Sequence, residues 1–509
     1  MYGKERFLEI YNKYKGRPIL LYGDPDVDGL VSLLLMCRWA ESQGLKYSYY
    51  VNQKRHHGFS IDASKLKGYL VIAADFEIKR EEMQMLVDND VAVLSTDHHD
   101  CEREFIDCKG VAEGVVLNNQ YPFEPDEDRY LSGAGVFYEL MCDLFPEFKS
   151  DENKALVGIT LLSDVRQIEN KKARDYLKTT YSIDSSKGFI KYLIESILDV
   201  DFTFGAPKLD RNFIDFNLSP YINALLRLDK VDEATSFILG KGASSSYTNP
   251  RGVQKDIIES MKVHASYLNL GHLVIVAVNS LDFAGQNFDP SAFIGLLCSN
   301  IKDSNGNKST LGFTYENGQV TRASFRGRCD DIHYKISFQQ IGIKAEGHAN
   351  AFGIKNFVPT SDLWVQLDDM IADLEVTHKE TVRIVESKNL AITLTQKGME
   401  YATENCYVRD MYRYYIKYTG TNAKIVKTTY KKEEFSEKDY AIGLKADEET
   451  RGVKYKYLRD ENGNPIPKYI EYLIDGRKVK SFGVLVEDGV ILPMLEKGYI
   501  QLYVRSSLS

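Results

Sequence analysis

The sequence predicts an α/β protein, with a mostly parallel sheet in a first domain, a second and smaller α/β domain, and a β-rich C-terminal domain. From residue 18 to about residue 170, short apolar runs alternate with amphipathic segments, as in a parallel sheet whose strands are joined by helices. A shorter alternation of the same kind follows residue 252. Beyond residue 376 the chain changes to short strand-like runs with turn signals such as Thr419-Gly420 and Asp475-Gly476.

In the first alternating region the apolar runs predict strands and the amphipathic runs predict helices. The strands are expected at residues 18–22, 69–74, 91–95 and 115–117, and the helices at residues 30–43, 79–88, 135–145 and 152–163. Residues 171–239 have a helical, connecting character, and residues 240–252 have the Gly, Ser, Asn and Pro content of an exposed linker. In the second region we expect helices at 253–268, 291–301 and 364–376, and strands at 272–279, 309–314 and 320–325.

Composition excludes several classes of protein. The 509 residues are 43% hydrophobic, 12% aromatic and 27% charged, which is ordinary for globular chains of about three domains. No apolar run approaches the roughly 20 residues of a spanning helix, and residues 1–16 lack a signal-peptide core. Seven cysteines without a CxxC pair argue against a disulfide framework or a thiolate zinc site. We therefore expect a cytoplasmic protein that does not associate with a membrane.

Three carboxylates follow the first predicted strand. Asp24, Asp26 and Asp28 are spaced by two residues, so in an extended segment they project to one side and repel each other unless a cation lies between them. A divalent metal ion would satisfy this arrangement. The segment is equally compatible with a solvated acidic turn that caps the following helix.

Further acidic and imidazole groups follow the next two predicted strands. Asp75 comes directly after one strand, and Asp97-His98-His99 ends another. Because the carboxyl ends of parallel strands meet at one edge of a sheet, these side chains are expected to join the first cluster. Asp164, at the end of an apolar helix, is a further candidate. This combination favours a metal site over a solvated histidine pair.

These motifs, in this order and spacing, resemble the DHH phosphoesterases. The resemblance includes the segment Asp24–Gly29, the isolated Asp75, Asp97-His98-His99, the helix start at residues 132–136 and the Asp164 segment. It covers about residues 15–360. Within the family the chain looks most like the RecJ branch of single-strand-specific exonucleases, because of segments 51–59, 219–227 and 346–353. Four positions depart from the family pattern, namely Tyr22, Tyr221, Leu226 and Glu346.

The resemblance implies a role for each matched residue. It implies that Asp26 and Asp28 each hold one of two divalent ions, manganese favoured and magnesium possible, that Asp75 bridges them, and that His98 and Asp164 complete the second site. Asp24 and Asp97 would orient these ligands, and Asp75, Asp97 and His99 form the predicted catalytic group. The predicted nucleic-acid-binding residues are Arg55, Asn223, Arg227, Ser324, Arg326, Gly347 and His348.

The resemblance also implies four domains and an activity. Residues 1–190 would form the DHH domain, 191–265 a helical connector, 266–376 a DHH-associated substrate-binding domain, and 377–509 the β-rich domain. The expected activity is hydrolysis of single-stranded DNA from the 5′ end by two-metal catalysis. Two alternatives remain open: a nanoRNase or cyclic-dinucleotide phosphodiesterase that acts on short RNA or dinucleotides, and a non-catalytic replication scaffold with the same fold. The sequence indicates no protein partner.

The C-terminal segment differs from the rest in charge. Residues 381–509 contain 22 Lys and Arg against 18 Asp and Glu, so they carry +4 while the whole chain carries −9. They also hold 14 of the 33 tyrosines, many beside Lys or Arg. Stacked aromatic rings and cations are typical of single-strand binding surfaces, but a tyrosine-rich β core has the same composition. Both interpretations stay open, and the family resemblance adds an OB-fold as a candidate for this domain.

Overall fold

The computed structural model forms two compact units, residues 1–378 and 379–509, which are described separately. Parts of the chain lie outside the residues that the structure describes, and these are residues 54–58, 77, 100, 102–104, 165–170, 198–207, 242–248, 305–307, 330–331, 348, 378–381, 388–412, 419–422, 437–438, 440–443, 460–462, 475–476, 483–489, 497–498 and 505–509.

The first unit begins with a six-stranded sheet, sheet A. Its strands are β1 (Ile19–Gly23), β2 (Tyr47–Val51), β3 (Leu70–Ala74), β4 (Ala92–Asp97), β5 (Asp107–Lys109) and β6 (Glu113–Asn118). Their order is β2-β1-β3-β4-β6-β5, and every neighbouring pair is parallel except β5 with β6. The predicted mostly parallel sheet is therefore confirmed. Strands β1 and β3 are buried along their whole length, which explains their continuous apolar sequences.

Helices cover sheet A and extend beyond it. They are α1 (Lys4–Tyr14), α2 (Val27–Ser42), α3 (Arg80–Asp88), α4 (Gly133–Leu144), α5 (Asp151–Ser163), α6 (Lys171–Ser182) and α7 (Gly188–Ile197). Helix α2 is buried on nearly all sides because α4 and α5 pack against it as well as the sheet. Its sequence is accordingly apolar from Leu30 to Cys37, without the polar face of a surface helix.

A helical connector leads to the second part of this unit. It contains α8 (Arg211–Phe213), a π-helical turn (Ile214–Leu218), α9 (Ser219–Arg227), α10 (Val231–Ile238) and α11 (Pro250–His264). The prediction that the linker extends to residue 252 is wrong, because Asn249 caps α11 by accepting a hydrogen bond from the Gly252 N–H at 2.8 Å. The prediction of one helix over 253–268 is also wrong at its end. Helix α11 stops at His264, and residues 266–269 form a strand.

The second sheet, sheet B, is mixed. It contains β7 (Ser266–Asn269), β8 (Leu273–Asn279), β9 (Ser309–Glu316), β10 (Gln319–Arg326), β11 (Lys344–Gly347) and β12 (Ala351–Lys355), in the order β11-β12-β10-β9-β8-β7. Strands β8 and β9 are parallel and the other pairs are antiparallel. Its helices are α12 (Ile294–Ser304), α13 (Tyr334–Gln340) and α14 (Ser361–Thr377). The second α/β region is thereby confirmed.

The second unit is β-rich, as the sequence predicts. Sheet C contains β13 (Val382–Ser387), β14 (Arg413–Tyr418), β15 (Ala423–Tyr430), β19 (Pro467–Ile474), β20 (Arg477–Phe482), β21 (Val490–Glu496) and β22 (Tyr499–Val504). Their order is β13-β14-β21-β22-β20-β19-β15. Sheet D contains β16 (Lys432–Glu434), β17 (Glu448–Thr450) and β18 (Val453–Tyr457). The OB-fold stays a prediction. Across the described part of the chain, no helix combines the length and the apolar character that membrane crossing requires.

In sheet D the charged and aromatic side chains contact one another. The ammonium group of Lys432 lies over the ring of Tyr455 at 4.0 Å. Lys456 pairs with Asp439 at 2.6 Å and with Glu433 at 3.1 Å, and the Tyr457 hydroxyl donates to Glu448 at 3.1 Å. For this segment the contacts favour the tyrosine-rich β structure over the single-strand surface, because Lys432 and Lys456 already have partners in the same unit.

Candidate metal centre

The carboxyl ends of β1, β3 and β4 meet at one edge of sheet A. These strands are parallel neighbours, with Gly23 opposite Ala74 and Ala74 opposite Thr96. The residues that follow each strand therefore emerge together. The order of the sheet reverses between β1 and β3, and ligand sites of open α/β sheets form at such a reversal.

The first acidic segment is shaped by the start of α2. Asp26 caps this helix, and its carboxylate accepts a hydrogen bond from the Gly29 N–H at 2.8 Å. A Cβ at position 29 would lie 2.5 Å from the Asp24 carbonyl oxygen, so the tight turn requires a glycine there. Both interpretations of this segment thus hold in part, since Asp26 is a helix cap and also lies in the acidic cluster.

Asp28 is held by the beginning of α4. Its carboxylate accepts hydrogen bonds from the Gly133 N–H at 2.7 Å and from the Ala134 N–H at 3.1 Å. Free N–H groups and the positive end of the helix dipole stabilise a carboxylate at this place. Asp28 is buried, and these two bonds set the orientation of both of its oxygens.

Asp75 has an unusual backbone conformation. Its φ of 65° lies in the left-handed region, and its N–H donates to the Thr96 carbonyl oxygen at 2.9 Å. Asp tolerates this region better than most residues, yet such conformations are strained and concentrate at functional sites. A Cβ at position 133 would lie 2.4 Å from the Cβ of Asp75, so Gly133 also provides the space into which Asp75 fits.

His98 lies among three of the carboxylates. Its Nε2 is 3.0 Å from Asp75 Oδ1 and 3.6 Å from Asp28 Oδ2, and its Nδ1 is 3.7 Å from Asp164 Oδ2. Asp164 is the C-terminal cap of α5. In three groups the potential ligand atoms lie within 4.8 Å of one another, and these are Asp24 with Asp26 and Asp75, Asp28 with His98 and Asp164, and Asp75 with His98 and His99. The predicted ligands are thus brought together, with Asp75 in two of the groups.

The electrostatics of this cluster suit a cation. Burial, then the neighbouring carboxylates Asp28 and Asp26, hold the pKa of Asp75 well above its usual range. Burial and Asp26 raise the pKa of Asp28 to about 6, although its backbone hydrogen bonds oppose the shift. Asp75 Oδ1 is buried and receives no hydrogen bond from the described residues. Oxygen ligands with one imidazole fit manganese or magnesium, and such an ion would relieve the repulsion.

The predicted catalytic histidine has a carboxylate partner. His99 Nδ1 lies 2.8 Å from Asp97 Oδ1, and about half of the His99 side chain is exposed. Burial opposes protonation of His99, but the bond to Asp97 and the surrounding carboxylates raise its pKa to about 10. Burial opposes ionisation of Asp97 as well, yet His99 holds the Asp97 pKa below its usual value. Both shifts favour an imidazolium paired with a carboxylate.

Sequence reasoning missed one residue at this edge of the sheet. Asn118 ends β6 directly opposite Asp97, and its Nδ2 donates to Asp97 Oδ2 at 3.1 Å and to the His99 carbonyl oxygen at 3.0 Å. An asparagine after an apolar run resembles an ordinary turn residue. The signal that could have found it is its place at the end of a fourth parallel strand.

Tyr22, which departs from the family pattern, is not directed at the cluster. Its ring is fully buried, stacked on Phe59 and edge-on to Phe76. Its hydroxyl donates to Asn52 and accepts from the Ser60 N–H at 3.0 Å. In this chain position 22 therefore joins β1 to the segments on either side of residues 54–58, whereas some family members have a histidine there.

The predicted nucleic-acid-binding residues lie on several elements. Ser324 and Arg326 are on β10, Gly347 ends β11 with a φ of 124°, and Asn223 and Arg227 are on α9. Arg227 donates to Gln254 at 3.0 Å. Arg55 and His348 lie outside the described residues. The described residues therefore come from both sheet B and the connector of the same unit.

The Arg326 side chain is partly buried and forms no ion pair with a carboxylate of the described residues. Its Nη1 donates to Ser324 Oγ at 2.8 Å and to the Phe325 carbonyl oxygen at 2.6 Å, and burial lowers its pKa. A Cβ at position 295, in the first turn of α12, would lie 2.5 Å from Arg326 Nη2. The cation thus lies close to a helix N-terminus, an arrangement that suits an anion.

Comparison with known proteins agrees with this geometry. Residues 18–163 match the model of the DHH family, N-terminal domain. Residues 18–163 form a DHH domain. The match includes the acidic segment, Asp75, the Asp97-His98-His99 motif and the start of α4, so the recognition from these motifs is confirmed.

Individual proteins that resemble this chain share little sequence identity with it. The single-stranded-DNA-specific exonuclease RecJ of Bacillus subtilis is 22% identical over 230 residues, and the YorK protein of the SPbeta prophage in that organism is 28% identical over 229 residues. The matches cover 44% and 43% of this chain, but only 28% and 38% of those proteins. The crystal structure of RecJ with Mn²⁺ from Thermus thermophilus aligns with a TM-score of 0.63 at 15% identity, covering 100% of this chain and 71% of that one. This likeness shows a shared fold.

Proposed function

We propose that this protein is a metal-dependent phosphodiesterase that removes nucleotides from the 5′ end of single-stranded DNA. The observation that carries the proposal is the group of carboxylates around Asp75 and His98, which the ends of three parallel strands bring within ligand distance. A second support is the similarity to RecJ of Bacillus subtilis, a single-stranded-DNA-specific exonuclease. The fold shared with a manganese-bound RecJ is a third.

In the proposed mechanism Asp26 and Asp28 would each hold one of two divalent ions, and Asp75 would be a ligand shared by both. His98 and Asp164 would complete the second set of ligands. When bound, the ions activate water for attack and neutralise charge on the phosphate. The chain's own contribution is orientation. The α4 N–H groups hold Asp28, and the left-handed backbone of Asp75 directs its carboxylate into the cluster.

His99 contributes a hydrogen-bond donor. Its Nδ1 is bonded to Asp97, so its Nε2 remains to donate to a phosphate oxygen as negative charge develops there. The hydrogen bond to Asp97 raises the pKa of His99 and so favours the protonated ring. Asp97 acts through His99, and Asp24 acts by orienting the neighbouring ligands.

Arg326 is the residue that we assign to a phosphate group of the bound strand. Arg326 is partly buried, it has Ser324 rather than a carboxylate beside it, and it lies near the start of α12. Guanidinium groups bind phosphate oxygens with two parallel hydrogen bonds. Asn223, Arg227, Gly347, Arg55 and His348 are proposed to contact other parts of the strand.

The test uses purified protein with Mn²⁺ and with Mg²⁺. It is incubated with single-stranded DNA labelled at the 5′ or the 3′ end, duplex DNA, RNA of two to five nucleotides and cyclic dinucleotides, and Asp75→Asn serves as the inactive control. The proposal expects mononucleotide release from the 5′ end of single strands, only with a divalent ion. Cleavage of cyclic or very short substrates alone would support the nanoRNase or cyclic-dinucleotide alternative. Binding of DNA without cleavage would support the scaffold.

A further inference from the structure

Asn118 is placed to control the geometry of the catalytic histidine. It lies at the end of β6, directly opposite Asp97 of β4, and it is 1% exposed. Its amide nitrogen, Nδ2, donates two hydrogen bonds to the DHH motif, one to the Asp97 carboxylate and one to the His99 carbonyl oxygen. Asn118 thereby attaches the turn that carries His99 to β6 at two points, the side chain of Asp97 and the backbone of His99.

The orientation of the Asn118 amide is determined by a third contact. Its Oδ1 accepts a hydrogen bond from the Gln120 N–H at 2.8 Å, so the oxygen faces the turn after β6 and the NH₂ group faces Asp97. Asp97 then receives a donor on each oxygen, Asn118 on Oδ2 and His99 on Oδ1. With one oxygen engaged by Asn118, the other is presented to His99 in a single direction.

The chemistry of the position explains why an amide is required. An apolar side chain would leave Asp97 Oδ2 buried without this donor, and a carboxylate would repel Asp97. A cationic side chain would compete with His99 for Asp97. An amide donates to Asp97 and accepts from the backbone without adding charge.

We infer that Asn118 is a positioning residue for the proposed hydrolysis, acting through Asp97 to keep Nδ1 of His99 bonded and its Nε2 available to the substrate phosphate. The inference deepens the proposed function and rests on it for its kinetic consequences. The geometric consequence, the state of the His99 ring, can be measured without turnover.

The test compares Asn118→Ala with Asn119→Ala. Asn119 is the matched control, because it is equally buried beside Asn118 but its side chain donates to the carbonyl oxygens of Asp128 and Leu131. Its one bond to Asp97 runs from its backbone N–H to the Asp97 carbonyl oxygen at 3.3 Å, and an alanine keeps that bond. In ¹⁵N-labelled, chelator-treated protein, the downfield N–H signal of the His99 ring is assigned by its loss in His99→Gln. We expect Asn118→Ala to abolish or broaden this signal and Asn119→Ala to retain it.

The kinetic arm separates positioning from stability. Asn118→Ala should lower kcat about 10- to 100-fold, as is usual when a partner of a functional group is removed. KM and the affinity for Mn²⁺ should change by less than about threefold, since Asn118 contacts neither the proposed ligands nor Arg326. The isosteric Asn118→Asp should give the same loss, and it provides the comparison if the alanine variant does not fold.

An unchanged His99 signal and an unchanged kcat in folded Asn118 variants would overturn the inference. Equal loss of the signal in Asn118→Ala and Asn119→Ala would also overturn it, because the effect would then be general loosening of this strand end. If the wild-type protein hydrolyses no phosphodiester under any condition, the proposed function fails, and the NMR comparison still decides whether Asn118 positions His99.

Discussion

The acidic edge of sheet A and the surface of sheet D both concentrate charged side chains, but they neutralise charge differently. In sheet D, Lys432 and Lys456 face carboxylates of the same unit, and Lys456 lies between Asp439 and Glu433. At the edge of sheet A, carboxylates face one another, and burial and mutual repulsion raise the pKa of Asp75 and of Asp28. Charge paired within the fold stabilises a surface, whereas buried charge of one sign indicates a site for a ligand of the opposite sign.

The largest effect is expected at Asp75. Replacement by asparagine removes the charge but suits the left-handed backbone, and hydrolysis should fall about 10³-fold or more because the shared ligand is lost. Without metal, Asp75→Asn should unfold at a higher temperature than the wild type, since repulsion among the carboxylates is relieved. Activity is followed by release of labelled nucleotides and stability by calorimetry.

Asp75→Ala is the matched comparison for this variant. It loses the same charge, but alanine is unfavourable in the left-handed region by about 1 kcal/mol or more. It should therefore be equally inactive and less stable than Asp75→Asn. Retained turnover in either variant would contradict the assignment of Asp75 as the shared ligand.

Arg326 extends the comparison to a partly buried positive charge. Arg326→Met should raise KM for single strands about 10- to 100-fold, the effect of losing a charged hydrogen bond to phosphate. The free energy of unfolding should change by no more than about 1 kcal/mol, because Arg326 is only partly buried and forms no ion pair with a described carboxylate. Steady-state kinetics and denaturant unfolding measure the two effects.

Arg322 provides the control for Arg326, since it lies on the same strand but is exposed. Arg322→Met should leave KM and stability nearly unchanged. If Arg326→Met instead destabilises the fold and leaves KM unaltered, Arg326 has a structural role.

The stabilisation by Mn²⁺ should depend on pH. In the folded protein the pKa of Asp28 is about 6, whereas its ordinary value is 3.8. Protonation of Asp28 therefore favours the folded state at low pH, and this contribution to stability is lost as the pH rises through 6. Protons then no longer compete with the metal. A hundredfold excess of Mn²⁺ over its Kd adds about 2.7 kcal/mol, and we expect the resulting rise in Tm to be larger at pH 8 than at pH 5.

Asp28→Asn tests this explanation of the pH dependence. The variant should show a smaller rise in Tm with Mn²⁺ and a weaker difference between the two pH values. Identical rises at pH 5 and pH 8 in the wild-type protein would show that Asp28 does not compete for protons and metal in this way.

The smallest effect is expected in sheet D. Lys456→Ala removes two contacts on an open surface, so it should change stability by no more than about 1 kcal/mol. Fluorescence anisotropy in the Asp75→Asn background should detect less than about a twofold change in affinity for single strands. A tenfold loss would show that sheet D contacts nucleic acid and that its internal pairing does not distinguish it from a binding surface.

Sequence patterns were sufficient to predict the strands of sheet A that are buried on both faces. β1, β3 and β4 have continuous apolar runs, and only their ends differ from the prediction by one or two residues. β2 was missed because its sequence, Tyr-Ser-Tyr-Tyr-Val, belongs to a partly exposed edge strand without a clear alternation. The boundary between α11 and β7 was missed for a similar reason, since β7 is exposed along its length and gives no apolar signal.

The candidate site could be predicted wherever a residue's chemistry is distinctive. Carboxylates and histidines after apolar runs are conspicuous, and parallel packing explains why they meet. The left-handed backbone of Asp75 and the space left by Gly133 follow from packing across more than 50 residues, and no local pattern contains that information. Asn118 was missed because its partners are set by the register of β4 and β6.

The buried tyrosine at position 22 constrains how the centre of this protein can change. Exchanging it for histidine would place an imidazole between Phe59 and Phe76 and deprive Asn52 and the Ser60 backbone of their shared hydroxyl. Gaining a ligand at that position would thus demand coordinated replacements in at least three segments. Engineering toward the histidine-containing form must remodel the aromatic cluster first, and a lone substitution should yield a less stable fold rather than a better chelator.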